Sequence, residues 1–283
     1  MPDSARVEIR LLRESDIAAA MDLKRSAGWN QTEADWRTLL QLEPDGCFAA
    51  VIDDQLVGTT TTTSYGSELA WIGMVLVQPE QRRKGIATKL LHTALEYLGS
   101  KVSTVKLDAT ADGKHVYERI GFEVESLIER WSKTGEPVSF NQQPEMIDSN
   151  ARREIMQFDR REFGADRSKL LKILLAECVR CAVTRAADGS LTGYALARSG
   201  SNAAYVGPVV SLQRSQTITL LDQLLEQLQP GPVYVDINRN WGECGQLLSE
   251  RGFAKQRDLI RMKRGPAIPT SPSVFAIAGP EIG

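Results

Sequence analysis

The sequence lacks long apolar runs and a marked excess of either charge. No uninterrupted apolar run in its 283 residues approaches the roughly 20 needed to span a bilayer. The opening stretch MPDSARVEIRLL has no apolar core of the signal-peptide kind. Lys and Arg number 34 against 36 Asp and Glu, and a net charge of -2 creates no field that would gather nucleic acid or an acidic membrane surface. We therefore expect a cytoplasmic protein whose partners include neither nucleic acid nor a membrane, while its oligomeric state stays open.

Metal-binding side chains are scarce as well. The sequence has only two histidines and four cysteines: His92, His115, Cys47, Cys178, Cys181 and Cys244. The one C-x-x-C lacks a second pair that would complete a zinc ligand set. Its surroundings, ECVRCAVTRA, have the pattern of a strand, which would point the two thiols to opposite faces. We expect no metal site and a structural role for all four thiols.

Length and composition predict two globular domains. The chain is too long for one domain of ordinary size, and its hydrophobic fraction of 42% and charged fraction of 25% are those of a folded protein. Periodicity is lost in TGEPVSFNQQPEMIDSN, which contains two prolines. The prediction is a first domain over residues 1–135, a linker over 136–150 and a second domain over 151–283.

Strand and helix patterns alternate in the first part of the chain. A helical region over 14–42 precedes a hairpin, CFAAVI and QLVGTTTTTS, around Asp53-Asp54. The uncharged run AWIGMVLV (70–77) is typical of a strand buried on both faces, and an apolar helical face begins at Ile86. These patterns indicate an α/β fold with a mixed α+β sheet.

The second part repeats this plan. Three landmarks recur at nearly constant spacing: Gly73 and Gly207, Asp108 and Asp236, and Gly121 and Gly252. Two copies of one fold explain this best. The alternative is that two α+β domains share their element order by chance.

A cluster of positive charge marks one corner of the first copy. In QPEQRRKGIATKLL (78–91), Arg82, Arg83 and Lys84 stand directly before Gly85 and the start of a helix pattern. The first amides of a helix have no intrahelical acceptor and carry the positive end of the helix dipole. Gly85 and the small Ala87 would let an anion approach those amides, and a pyrophosphate is the natural guest.

The corner matches neither of two common phosphate-binding patterns. It lacks the G-x-x-x-x-G-K-[ST] of a P-loop and the three glycines of the dinucleotide fingerprint. Taken alone, such a charge run is more often a solvated bend.

The wider context resembles motif A of the GNAT superfamily, the acyl-CoA-dependent N-acyltransferases. The [QR]-x-x-G-x-[GA] pattern is matched by RRKGIA (82–87), preceded by the V-x-P of Val77-Gln78-Pro79. The downstream YERIGF (117–122) matches the superfamily's Y-x-x-x-G-F element. The resemblance covers residues 6–131, and the whole chain is similar to tandem GNAT proteins with a degenerate second domain.

The resemblance implies a binding site for acetyl-CoA, used as the acyl-donor cosubstrate. The pantetheine arm would run along a splayed strand edge at Val75, Leu76 and Val77. The pyrophosphate would lie on the basic corner, whose implied binding residues are Arg82, Arg83, Lys84, Gly85, Ile86, Ala87 and Thr88. Thr110 is a departure, because many relatives carry asparagine seven residues before the tyrosine.

Tyr117 is the candidate catalytic residue. Acyl transfer from a thioester requires a proton for the leaving thiolate, and a phenol with a pKa of about 10 can donate it. The resemblance puts this tyrosine beside the CoA sulfur, whereas the alternative is a packed ring whose hydroxyl faces water. Glu68 and Asp108 are candidates for a general base by position only, and His115 falls on another helical face.

The second copy has lost these features. SLQRSQTITLL (211–221) has no glycine, and Leu248 stands where Tyr117 stands in the first copy. We expect this domain to complete a substrate pocket against the first one. Polar and aromatic candidates for that pocket are Trp29, Trp36, Asp236, Asn238, Trp241 and Arg261. The apolar SPSVFAIAGPEIG (271–283) is expected to lie against the body of the protein.

The sequence therefore predicts an N-acetyltransferase. It would move an acetyl group from acetyl-CoA to a primary amine of a small molecule by direct attack, since no cysteine lies in the motif region. The alternative is a non-catalytic acyl-CoA-binding sensor or scaffold.

Overall fold

A computed structural model describes residues 7–135, 144–239, 244–268 and 271–283. Within these ranges the strands form one mixed sheet. The strands are β1 (Glu8–Leu11), β2 (Cys47–Ile52), β3 (Gln55–Tyr65), β4 (Leu69–Val77), β5 (Thr104–Ala109), β6 (Glu123–Lys133), β7 (Arg180–Arg185), β8 (Leu191–Arg198), β9 (Ala204–Ser211), β10 (Val233–Asn238), β11 (Phe253–Arg264) and β12 (Val274–Ala276). The helices are α1 (Ile17–Ser26), α2 (Glu33–Leu42), α3 (Ile86–Leu98), α4 (Lys114–Arg119), α5 (Ser149–Phe163), α6 (Ser168–Glu177), α7 (Arg214–Gln227) and α8 (Cys244–Ser249).

Local sequence signals account for the elements of the N-terminal half, residues 7–135. The predicted hairpin is confirmed, and its turn residues Asp53 and Asp54 have φ of 49° and 59°, as a two-residue turn between twisted strands requires. The helical region predicted over 14–42 is two helices. Thr32 begins the second one, because its hydroxyl accepts the Asp35 amide and its own amide donates to the Asp35 carboxylate.

The two halves exchange strands. The order across the sheet is β1-β2-β3-β4-β5-β11-β6-β10-β12-β9-β8-β7. Strand β11, from the C-terminal half, therefore lies beside β5, and β6, from the N-terminal half, lies beside β10. The antiparallel β6–β11 pair forms the middle of the sheet. The predicted domain boundaries stay a prediction, and part of the predicted linker, 136–143, lies outside the described residues.

Two buried ion pairs join the exchanged strands to their hosts. Arg261 on β11 donates to both carboxylate oxygens of Asp108 on β5, at 2.9 and 2.8 Å. Arg130 on β6 does the same to Asp236 on β10, at 2.7 and 2.6 Å. No side chain of the four is more than 4% exposed. The matched aspartates seen in the sequence thus hold matched places, and each arginine comes from the opposite half.

The core is shared between the halves. On one face of the N-terminal sheet, α3 packs through Leu90 and Leu91. On the other face, α1 and α2 bury Trp71 and Trp36 in one cluster with Phe158 of α5. Each half consequently buries apolar side chains against the other.

No helix in the described ranges is both long and apolar enough to cross a membrane.

Breaking one interhalf ion pair should destabilise the whole chain. Arg261→Met leaves Asp108 buried without its counter-charge, and removal of one partner from a buried pair costs about 3–5 kcal/mol. We expect a loss of that size in the free energy of unfolding measured by urea titration. Arg130→Met should cost a similar amount, because it strands Asp236 in the same way.

The matched control is Arg37→Met, since Arg37 is 53% exposed and pairs with Glu33 on the surface of α2. Its loss should be at most about 1 kcal/mol. Equal losses in Arg37→Met and Arg261→Met would show that the exchanged strands do not depend on these pairs.

Candidate functional site

A cleft opens where β4 and β5 diverge. The two parallel strands pair only from Leu69 to Trp71 on β4, opposite Thr104 to Lys106 on β5. Beyond that point β4 continues to Val77 and still pairs with β3, with Leu76 opposite Thr59. On the β5 side, the described part of the chain provides no strand for Val75, Leu76 and Val77. Their backbone groups are available to a ligand that offers amides.

A bulge in β4 produces this divergence. Thr61 lies opposite Gly73 and Thr59 lies opposite Leu76, so β4 contains one extra residue there. Met74 has a φ of 48°, which is rare for a residue other than glycine. The Thr59 hydroxyl donates to the Met74 carbonyl at 2.8 Å and holds the bulge. A bulge bends its strand and increases the local twist, which here carries β4 away from β5.

The basic corner joins this strand to α3. Gly85 has a φ of 78° and precedes the first residue of the helix, Ile86. The first backbone hydrogen bond of α3 runs from the Lys89 amide to the Gly85 carbonyl, at 3.0 Å. Within the described residues, no amide from Arg83 to Thr88 donates to a backbone carbonyl. These amides form an open anion-binding surface at the positive end of the helix dipole.

The side chains at the corner leave that surface accessible. A Cβ built on Gly85 would meet no atom within 4 Å, and Ile86 is buried in the core beneath α3, so only its amide faces the corner. Arg82, Arg83 and Lys84 are exposed.

Counter-charges for these three cations are missing from the described part of the chain. Arg82 donates to the Val77 carbonyl at 3.2 Å and Lys84 to the Gln81 amide oxygen at 2.9 Å. Among the described residues none of the three cations makes an ion pair. Three cations at the positive end of a helix repel one another and the dipole, and a bound anion relieves that repulsion.

Tyr117 lies on α4, which follows the end of β5. Its half-buried ring packs against Phe122 in an edge-to-face contact with 6.1 Å between centroids, and against the apolar core. Burial raises the pKa of its hydroxyl. The described residues provide no hydrogen-bond partner for that hydroxyl. It therefore keeps its proton near neutral pH and is free to donate it.

The two carboxylates considered as a base have different surroundings: Asp108 is buried in an ion pair, and Glu68 is exposed. Asp108 accepts hydrogen bonds from the Nε and Nη2 of Arg261, and its burial raises its pKa although Arg261 opposes the shift. Glu68 lies exposed in the turn before β4. His115 is exposed and 3.1 Å from Glu118, away from the cleft. In the described ranges no group of three or more His, Cys, Asp or Glu side chains could hold a metal ion.

Comparison with known families assigns both halves of the chain. The model of the acetyltransferase (GNAT) family matches residues 17–122, and the model of an acetyltransferase (GNAT) domain matches residues 155–275. The chain belongs to the GNAT acetyltransferase family. It carries two GNAT domains in tandem, as the sequence predicts.

Known proteins similar to this tandem GNAT chain cover nearly all of it. The uncharacterized N-acetyltransferase YitH of Bacillus subtilis (strain 168) is 24% identical over 268 residues, which are 92% of this chain and 93% of YitH. A crystal structure from Pyrococcus horikoshii, assigned provisionally as an acetyltransferase, has a TM-score of 0.80 at 20% identity and covers 100% of this chain and 98% of its own. A tandem GNAT protein from the clavulanic acid biosynthesis pathway has a TM-score of 0.64 at 13% identity, with 93% and 100% covered. At these identities the two structures support the fold alone.

The second GNAT domain has the same diverging strands, but its cleft is filled by the chain itself. Strands β9 and β10 pair in parallel only from Ala204 to Val206, opposite Val233 to Val235. Strand β12 then lies between them, with Ala276 opposite Ile237 on β10 and Val209 on β9. A segment of this protein occupies the place that stands open in the first domain.

Beyond β12 the final segment, residues 277–283, crosses from the second domain to the first. Close approach is possible because Gly207 and Gly73 lack side chains. A Cβ on Gly207 would lie 2.1 Å from the Ile277 carbonyl oxygen, and one on Gly73 would lie 2.5 Å from the Glu281 carbonyl oxygen. The expectation that this apolar stretch lies against the protein is confirmed.

The remaining features of the first site have no counterpart in the second domain. Gln213 precedes α7 in extended conformation, where Gly85 precedes α3 in a left-handed one. Leu248, in the place of Tyr117, is fully buried. In the ranges that the structure describes, the second domain keeps the GNAT fold while β12 fills its cleft, Gln213 replaces the left-handed Gly85 and Leu248 replaces Tyr117.

The substrate pocket predicted between the domains stays a prediction, and none of the described residues predicted for it lines the polar pocket found there. Trp36 is fully buried in the core, and Asp236 and Arg261 belong to the buried ion pairs. Trp29 is half-buried, and Asn238 is buried on β10. Trp241 lies outside the described residues.

A small polar pocket between the domains is lined by residues that the sequence analysis missed. Its main polar side chains are Gln31, Asp35, Arg130, Arg198, Tyr205 and Glu281. Burial, followed by the nearby Asp35 carboxylate, raises the pKa of Glu281 to about 7, although Arg198 opposes the shift. The sequence signal that could have identified this pocket was Glu281, a single carboxylate in an otherwise apolar final segment.

Proposed function

We propose that this tandem GNAT protein transfers an acetyl group from acetyl-CoA to a primary amine of a small molecule. The supporting observation is the conjunction, at the ends of β4 and β5, of an open strand edge, a row of unbonded amides and three uncompensated cations. A bare solvated bend requires none of these to lie together. The anion and the amide-rich arm of one ligand would use them all.

Each part of the site has a role in this proposal. Acetyl-CoA supplies the acyl group as a thioester. Amides from Arg83 to Thr88 and the three cations hold its pyrophosphate, as charge-assisted hydrogen bonds favour. The edge of β4 from Val75 to Val77 pairs with the pantetheine arm, since buried amides need partners.

Tyr117 supplies the proton for the departing thiolate. Its pKa is raised by burial, so the phenol is protonated when the carbon–sulfur bond breaks. A thiolate leaves more readily when a positioned acid neutralises its charge, and such proton transfer typically contributes about 10²–10⁴-fold to a rate.

The acyl group moves directly to the amine, without a cysteine carrier. Cys47 and Cys178 are buried, and burial raises the pKa of each thiol to about 12. Burial also raises the pKa of Cys244 to about 11, and that of Cys181. Thiols in this state are poor nucleophiles, because the thiolate is the reactive form.

A small acceptor fits the architecture better than a protein does. The second domain and the final segment cover the face of β4 opposite α3, and the pocket between the domains is narrow and polar. The amine would enter there, at a domain interface where ligand sites are common.

The second candidate function is an acyl-CoA-binding sensor or scaffold without catalysis. The cleft between β4 and β5 would bind acyl-CoA in such a protein as well. A sensor or scaffold gives no role to the protonated Tyr117 hydroxyl on α4, for which the described residues provide no hydrogen-bond partner.

Acetyl-CoA should stabilise the protein, and two Gly85 variants should distinguish the effect of an added negative charge from the effect of backbone strain. At 100 times its Kd the ligand adds about 2.7 kcal/mol to the native state, which a thermal unfolding curve will register clearly. Gly85→Glu puts a carboxylate at the anion site and should abolish the shift. Gly85→Ala has the same backbone strain but open space around its Cβ, and should retain part of the shift.

If the wild type and both variants fold and respond alike to acetyl-CoA, the corner is a solvated bend and the proposal is wrong.

Tyr117→Phe should keep the acetyl-CoA shift and lose turnover. With a panel of small primary amines, release of free CoA thiol should fall by about 10²–10⁴-fold, because the proton donor is gone while the ring remains. Equal thiol release by the variant would remove Tyr117 from the mechanism. Wild-type binding without thiol release for any amine would favour the sensor.

A further inference from the structure

The turn between β5 and α4 leads into the helix of the candidate proton donor and is closed by its own hydrogen bonds. The Gly113 amide donates to the Thr110 carbonyl at 3.0 Å and to the Thr110 hydroxyl at 3.3 Å. The Lys114 amide donates to the same carbonyl at 3.1 Å. These bonds fix the position of Gly113 relative to the end of β5.

Tyr117 follows Gly113 by one helical turn, and its ring lies against the glycine. The Tyr117 amide donates to the Gly113 carbonyl at 3.4 Å. A Cβ built on Gly113 would lie 3.0 Å from Cε2 of the Tyr117 ring. Carbon atoms in favourable contact are about 3.5–4.0 Å apart. The ring therefore occupies part of the space that a side chain at position 113 would need.

The backbone at Gly113 does not itself require glycine. Its φ of -78° and ψ of -26° lie in the right-handed helical region, which other residues adopt without strain. Gly85 differs in this respect, because its φ of 78° is left-handed. At Gly113 it is the close approach of the Tyr117 ring that the missing side chain accommodates.

Packing, rather than a hydrogen bond, sets the direction of the Tyr117 phenol. The described residues provide no partner for its hydroxyl. Its ring contacts the buried Phe122 edge to face, with 6.1 Å between centroids, and it contacts the turn at Gly113. The position of the hydroxyl consequently depends on the atoms that touch the ring.

A proton donor placed in this way is sensitive to small shifts. Proton transfer requires heavy atoms about 2.6–3.2 Å apart. A displacement of about 1 Å costs about 10²-fold in rate. A methyl group at position 113 would move the Tyr117 ring by a few tenths of an ångström, because real Cβ atoms are rarely as close as 3.0 Å to a neighbour.

We propose that Gly113 is a positioning residue for the proton transfer from Tyr117. Because it has no side chain, the ring lies against the turn, and the phenol is directed to the place where the thiolate departs. The inference rests on the proposed acetyl transfer and adds to it a residue that acts through the proton donor.

The step that depends on this position is the departure of the thiolate. The amine nitrogen forms a bond to the thioester carbonyl carbon, and the carbon–sulfur bond breaks with its electron pair on sulfur. Sulfur takes the phenolic proton of Tyr117. The nitrogen loses one proton to solvent, and the Tyr117 phenolate regains one from solvent, so a neutral amine gives no net release of protons.

The test is a double-mutant cycle on the full chain with hydroxylamine as the acceptor. Hydroxylamine is a small amine that is neutral in mildly alkaline buffer and attacks thioesters. Release of free CoA thiol is measured at saturating acetyl-CoA, and the rate without protein is subtracted. The four proteins are the wild type, Gly113→Ala, Tyr117→Phe and the double variant.

Two further variants serve as controls. Asp112→Ala changes an exposed residue of the same turn and puts no new atom against the Tyr117 ring. Gly113→Ser carries the same Cβ as Gly113→Ala and takes its place if the alanine variant does not fold. Thermal unfolding shows which variants are folded.

Gly113→Ala should lower kcat by about 3- to 10-fold, as a shift of a few tenths of an ångström implies. The Kd of acetyl-CoA measured by calorimetry should stay at its wild-type value, because the amides of the basic corner and the edge of β4 are unchanged. In the Tyr117→Phe background the same substitution should leave the rate unaltered, since that ring has no proton to position. Asp112→Ala should match the wild type.

A wild-type kcat in the folded Gly113 variant would overturn the proposal. An equal loss in the Tyr117→Phe background would overturn it too, because Gly113 would then act without the phenol. If the wild type releases no more thiol than Tyr117→Phe, the proposed proton donor fails and this inference fails with it. A wild-type rate that depends on Tyr117, beside an unaffected Gly113 variant, removes this inference alone and leaves the proposed function standing.

Discussion

Reciprocal pairing of a buried aspartate in each half with an arginine from the other underlies the whole architecture. Arg261 reaches Asp108 and Arg130 reaches Asp236 because β11 and β6 are exchanged between the halves. Each aspartate takes its arginine counter-charge from the other half. A buried ion pair of this kind is weak evidence of net stabilisation. Loss of one partner, however, destabilises the fold severely, because the other charge stays buried alone. The pairs therefore favour this pairing of strands over its alternatives.

The exchange places the halves so that one chain segment can serve both. After β11 the chain returns into the second domain, fills the cleft between β9 and β10 with β12, and crosses to β4 of the first domain. The same fold thus has an open cleft in the first domain and a filled cleft in the second. In the proposed mechanism the closed copy contributes structure, and the final segment contributes Glu281 to the lining of the pocket between the domains.

Much of the first site could be predicted from the sequence, because its signals are local. Gly85 before an apolar helix face predicts the start of a helix, and α3 begins at Ile86. Matched landmarks such as Asp108 and Asp236 predict the repeated plan. Strand exchange could not be predicted, because β6 and β11 follow their helices in the same way and each could pair with either host. The bulge at Met74 could not be predicted either, because it depends on the register with β3 and on the Thr59 hydroxyl. Glu281 was missed because its importance comes from burial against groups distant in the chain.

Calorimetric titration of the full chain with acetyl-CoA tests the central claim most directly. The account predicts one binding site per chain, since the first cleft is open and the second is filled by β12. Two sites per chain would contradict the filled second cleft. An absence of binding would contradict the assignment of the first cleft to acetyl-CoA.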